Sequence, residues 1–141
     1  MNISARNIFR GTVSSITAGA VNAEVTIDLG DGISIVSTVT IGSIERLGLK
    51  EGMAASAIVK ASSIILGTGL LDAKLSARNI LPGKINRIIE GPVSTEVDLE
   101  IGGGNTISAV ITHGSSSRMG LAPGGTACAI FKASSVIIGV E

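Results

Sequence analysis

The chain repeats itself. Ile3-Ser4-Ala5-Arg6-Asn7-Ile8 returns as Leu75-Ser76-Ala77-Arg78-Asn79-Ile80, and Gly19-Ala20-Val21-Asn22-Ala23-Glu24-Val25 returns as Gly91-Pro92-Val93-Ser94-Thr95-Glu96-Val97. Arg46-Leu47-Gly48-Leu49 returns as Arg118-Met119-Gly120-Leu121, and Lys60-Ala61-Ser62-Ser63 as Lys132-Ala133-Ser134-Ser135. All pairs share one gapless offset of about 72 residues, and about 30 of roughly 67 aligned positions are identical. The chain is therefore two copies of one small module, expected as domains over residues 1–68 and 73–141, joined near Gly67-Thr68-Gly69. A module this short buries little core by itself, so isolated copies are expected to be marginal and to pack against other copies.

Within a copy the pattern is β. Val21, Ala23, Val25, Ile27 and Leu29 alternate with Asn22, Glu24, Thr26 and Asp28, the period of two of a half-buried strand. Gly30-Asp31-Gly32 supplies a tight turn, and Ile33 to Val39 reads as the partner strand. In the second copy Gly102-Gly103-Gly104 takes the place of that turn. Ile8 to Ile16 and Met53 to Lys60 read as further strands, and Ile64 to Leu66 as a short strand closing its own copy. Ser43 to Leu47 is about one helical turn with a Ser or Thr cap, ending at Gly48 in the left-handed C′ position. The expected fold class is all-β: two tandem OB-like five-stranded barrels, each with one short helix.

Composition excludes several functions. Lys+Arg and Asp+Glu number 11 each, for a formal net charge of zero, which argues against binding nucleic acid or a membrane surface through bulk positive charge. Aromatics are 1% of residues, with Phe9 and Phe131 the only ones. An OB-like barrel that binds single strands needs stacking aromatics and a basic groove. The lone Cys128 rules out an intrachain disulfide and any multi-thiolate metal site, and its apolar neighbours suggest a buried small hydrophobe. No apolar run approaches a membrane span of about 18 residues, and the start shows no signal-peptide pattern, so a cytoplasmic location is expected. His113 is the only histidine, opposite Ile41 of the first copy; it is expected on an exposed turn, and no repeated His-based triad exists. No P-loop is present, and Glu24 and Glu96 lack a carboxylate partner for acid–base work. No enzymatic reaction is legible.

What recurs without a core reason is a polar set. The first copy has Ser4, Arg6, Thr40, Ser43, Lys60 and Ser62; the second has Ser76, Arg78, Thr112, Ser115, Lys132 and Ser134. Each set is two cations and several hydroxyls, all donors, without a carboxylate. Backbone N–H groups at the start of the short helix add to them. Such a set suits a small tetrahedral dianion (phosphate, sulfate, molybdate or tungstate) and not a metal cation, whose ligands are His, thiolate or carboxylate. The alternative is that the hydroxyls cap turns and the cations are solvated, in a structural oligomerisation module without an anion ligand.

Ser-Ala-Arg-Asn, the Gly-Ala-Val-Asn-Ala-Glu-Val strand and the Lys-Ala-Ser-Ser ending resemble the Mop domain of the molbindins, and the tandem arrangement resembles their two-domain members. The resemblance covers essentially the whole chain. It implies cytoplasmic molybdate and tungstate binding for storage, buffering or delivery, no cofactor, and a homotrimer arranged as a pseudo-hexamer of domains. Pterin-bound molybdenum is a further ligand form that it admits. It implies sites between domains, with Ser4, Arg6, Lys60 and Ser62 on one side and Thr40 and Ser43 from the facing domain. Ser76, Arg78, Lys132, Ser134, Thr112 and Ser115 would be the second-copy equivalents, and Ala61 and Ala133 would contribute backbone N–H groups. A second class of site near a three-fold axis is assigned to Val21 and Asn22. There the second copy departs, with Pro92, which has no N–H, and the shorter Ser94.

Overall fold

The structure, a computed structural model, describes residues 1–141. The first repeat runs β1 (Asn7–Ala18), β2 (Asn22–Gly30), β3 (Ile33–Thr40), α1 (Ile41–Leu47), β4 (Ala54–Val59), a 3-10 turn (Ala61–Ser63) and β5 (Ile65–Gly67). The second repeats the order as β6 (Asn79–Glu90), β7 (Ser94–Gly102), β8 (Asn105–Thr112), α2 (His113–Met119), β9 (Thr126–Phe131), a 3-10 turn (Ala133–Ser135) and β10 (Ile137–Gly139). The chain is mostly β, as expected, in two curled five-stranded antiparallel sheets ordered β10-β4-β1-β2-β3 and β5-β9-β6-β7-β8.

These orders overturn one expectation. Ile64–Leu66 does not close its own copy: β5 pairs with β9 of the second repeat (Ile65↔Ile130, Gly67↔Cys128), and β10 pairs with β4 of the first (Ile137↔Ile58, Gly139↔Ser56). The limits 1–68 and 73–141 thus describe the repeat along the chain. In space, one compact unit is Met1–Val59 with Lys132–Glu141, and the other is Lys60–Phe131.

In the first unit, Phe9, Val13, Val25, Ile27, Ile35, Ala57 and Val59 face inward and are buried, and Val136 and Ile138 of the exchanged segment are buried with them. Burial of those last two side chains contributes roughly 3–6 kcal/mol, an upper bound that takes an extended chain as reference. A buried hydrogen bond from the Ser37 hydroxyl to the Val136 carbonyl, 2.7 Å, ties the segment to β3. The second unit has the same inward face (Ile85, Val97, Leu99, Ile107, Ala129, Phe131), filled by Ile64 and Leu66. There Ala109 occupies the place of Ser37, so that hydroxyl bond has no counterpart.

Local structure follows the sequence chemistry. Gly30-Asp31-Gly32 turns with φ of 90°, 51° and 76°, and the Asp28 carboxylate accepts the Gly30 N–H at 2.8 Å. Sheet curl is helped by a bulge between Val13 and Ser15 and by Gly11, where a Cβ would collide with the Asp28 carbonyl. On the outer face of the second unit, Arg87 bridges Asp98 (3.2 Å) and Glu96 (3.4 Å), while Ser108 donates to Asp98 at 2.7 Å.

Two single-residue expectations are corrected. Cys128 is half-buried: it lies on the outward side of β9 between buried Ala127 and Ala129, and its cross-strand partners Pro82 and Gly67 are too small to cover it. His113 is not on an exposed turn. It opens α2, is half-buried, and its Nδ1 is buried without a hydrogen-bond partner.

Candidate functional site

The two helices begin where the hydroxyl pairs stand. Thr40 is the N-cap of α1, extended at φ −74° and ψ 154°, and its Oγ1 accepts the Ser43 N–H at 3.1 Å. The same Oγ1 donates to Ser43 Oγ at 3.0 Å. Thr112 caps α2 in the same way, with Ser115 N–H at 3.1 Å and Ser115 Oγ at 2.8 Å. Each pair holds two hydroxyl protons and spends one of them internally. One proton per pair therefore remains to donate outward.

Gly48 and Gly120 close the helices in the left-handed region at φ 63° and 62°, as the C′ position requires. Sequence reasoning missed one neighbour of the first hydroxyl pair. Arg46, in the last turn of α1, brings Nη2 to 3.5 Å of Ser43 Oγ. The signal was available, since Ser43 and Arg46 are three apart on a helix and share a face; Arg118 holds the same place relative to Ser115 in α2.

The other donors gather at strand ends. Asn7 is paired with Val59, so Arg6 stands just before β1 at that end of the β1–β4 ladder. Asn79 is paired with Phe131, which sets Arg78 likewise just before β6 at the matching end of the β6–β9 ladder. Ser4, Arg6, Lys60 and Ser62 are exposed, as are Ser76, Arg78, Lys132 and Ser134. Ala61 and Ala133 are buried at the start of the 3-10 turns. The bonds within the first turn use the N–H groups of Ser63 and Ile64, and those within the second use Ser135 and Val136. The N–H groups of Ala61, Ser62, Ala133 and Ser134 stand outside that turn bonding.

By compact unit, Ser4, Arg6, Thr40 and Ser43 go with Lys132, Ala133 and Ser134, while Lys60, Ala61 and Ser62 go with Ser76, Arg78, Thr112 and Ser115. Val21 is 72% exposed at the turn before β2, and Asn22 is exposed at its first residue. The Gly91 N–H to Ser94 carbonyl bond of 2.9 Å matches that of Gly19 to Asn22 at 2.8 Å, so Pro92 leaves the turn intact and alters only its donors. No group of three or more His, Cys, Asp or Glu residues that could hold a metal ion is present, and no helix is long and apolar enough to cross a membrane. Chemically, the recurring groups can bind and orient an anion.

The TOBE domain family model matches residues 3–66 and again residues 75–138. The molybdenum-pterin-binding protein MopA of Rhodobacter capsulatus is 45% identical over 138 residues, which are 98% of this chain and 52% of that protein. The molybdenum transport protein ModE of Azotobacter vinelandii is 44% identical over 140 residues, 99% of this chain and 52% of that protein. The chain thus spans about half the length of these two curated relatives. Among solved structures, the cytoplasmic molybdate-binding protein ModG with molybdate bound is 46% identical, with a TM-score of 0.96 over 100% of both chains. With the repeat, the fold and these matches agreeing, the chain belongs to the TOBE domain family and carries that domain twice.

Proposed function

We propose that this protein binds molybdate, and tungstate with it, reversibly and without chemistry, for storage and homeostasis of molybdenum in the cytoplasm. The observation that carries the reading is the match along the whole chain to a molybdate-bound relative at 46% identity. It is supported by donor sets that hold cations and hydroxyls and no carboxylate.

The donors are Ser4, Arg6, Thr40, Ser43, Lys60 and Ser62, with Ser76, Arg78, Thr112, Ser115, Lys132 and Ser134, assisted by the N–H groups of Ala61 and Ala133. A homotrimer draws donors for one anion from more than one chain, and Val21 and Asn22 line an axial site. A fixed cage of donors suits molybdate and tungstate better than sulfate, because their longer bonds to oxygen fill it. Phosphate carries a proton at neutral pH, for which a donor-only cage has no acceptor.

The test is elemental analysis of protein purified without sulfate, before and after equilibration with molybdate or tungstate and gel filtration. Stoichiometric molybdenum or tungsten retained on a trimer supports the reading. A metal-free protein after equilibration, or a monomer at micromolar concentration, contradicts it.

A further inference from the structure

The two repeats share a backbone at their helical ends but not a side-chain interior. The helix N-caps adopt φ/ψ of −74°/154° and −69°/148°, and Ile41 and His113 each donate a backbone N–H of 3.0 Å to Val21 and Val93. Inside that common frame the first repeat has Ala23, Ile41 and Ile44, whereas the second has Thr95, His113 and Ser116. Three apolar positions have become polar together.

In the second unit these groups come from elements packed on one another, since α2 lies against β7 and β8. Thr95 is on the inward face of β7 and fully buried, and Ser116 is 4% exposed. His113 and Ser116 are three apart on α2 and share its face. Thr95 pairs with Ile111, and the His113 N–H bonds to Val93, which brings the start of α2 to the same end of β7 as Thr95. Thr95 Oγ1 and His113 Nδ1 are the two buried side-chain polar atoms without a hydrogen-bond partner. Both belong to this cluster.

A buried polar atom left unpaired carries its full desolvation cost, so such atoms are paired with protein groups or ordered water in native structures. An internal water needs two to four polar partners. Thr95 Oγ1 can donate and accept, His113 Nδ1 does one or the other according to tautomer, and Ser116 offers a third hydroxyl. We infer that the second repeat holds an ordered internal water bridging Thr95 and His113 beneath α2, at a place where the first repeat is dry. This hydration site is separate from the anion donors and stands whether or not the protein binds molybdate.

The experiment is a near-atomic-resolution crystal structure of the full chain, paired with water-oxygen magnetic relaxation dispersion in solution, which counts long-lived internal waters. The expected result is a water within hydrogen-bond distance of both Thr95 Oγ1 and His113 Nδ1, and none at Ala23 and Ile41. The solution count should fall by one per chain in T95V/H113I, which restores the apolar character of the first repeat. A direct hydrogen bond between Thr95 and His113, or density with no water there, overturns the inference from the wild-type crystal alone. So does an unchanged water count in a folded T95V/H113I chain.

Discussion

Thr40 serves as a helix cap and is proposed as an anion donor, and one substitution separates the two roles. Asp is at least as good an N-cap as Thr, and its charge suits a helix N-terminus. In T40D the carboxylate accepts the Ser43 N–H, as Thr40 Oγ1 does at 3.1 Å, and the Ser43 hydroxyl turns inward to it. Stability should then change by less than about 0.5 kcal/mol. Binding should not survive: the outward proton is consumed, and a carboxylate about 5 Å from a dianion adds a repulsion of about 2–7 kcal/mol for effective dielectric constants between 80 and 20. Even the lower figure is more than about tenfold in affinity. T40V is the control; it loses the cap, at about 1 kcal/mol. Differential scanning calorimetry without anion and isothermal titration with molybdate read the two effects separately. T40D should melt with the wild type while its Thr40-containing sites disappear and its Thr112-containing sites remain. Wild-type stoichiometry and affinity in T40D would refute the donor role and leave Thr40 as a cap alone.

Other substitutions probe neighbouring links. S37A leaves the buried Val136 carbonyl without its 2.7 Å partner and should cost about 1–3 kcal/mol in thermal or denaturant unfolding, whereas A109S, at the equivalent place in the second unit, should give no matching loss. R87A leaves Asp98 and Glu96 without their shared cation; because the Arg87 side chain is 60% exposed, the loss read by urea unfolding should be about 1 kcal/mol. R6A should weaken molybdate binding by about ten- to a hundredfold through a lost charge-assisted bond. Combined with T40V in a titration-calorimetry cycle, it should be non-additive if both groups hold one anion.

Much of this architecture is legible in the sequence because it is written in local chemistry. The alternation from Val21 to Leu29 marks β2, Gly30-Asp31-Gly32 marks the turn, and Thr40 followed by Ser43 marks the helix start, although α1 begins two residues before the apolar pattern suggested. The exchange of β5 and β10 is not legible. Ile65-Leu66-Gly67 and Ile137-Ile138-Gly139 offer nearly the same edge, so either fits either partner strand and the local sequence carries no signal of which one is taken. The polarity of His113 suggests an exposed turn, yet it is half-buried like its counterpart Ile41; the repeat alignment, not the polarity of histidine, predicts its surroundings. Among the donors, sequence separation hid that Lys132 and Ser134 share a compact unit with Ser4 and Arg6, since that grouping follows from the same exchange.

The repeated donor sets are proposed to select a large tetrahedral dianion. Titration calorimetry of the wild-type chain with molybdate and with sulfate, in buffer free of both, tests it most directly. Saturable, stoichiometric binding of molybdate with affinity at least tenfold above that of sulfate is the predicted result. Equal affinities for the two anions, or no measurable heat with molybdate, would rule out that selectivity.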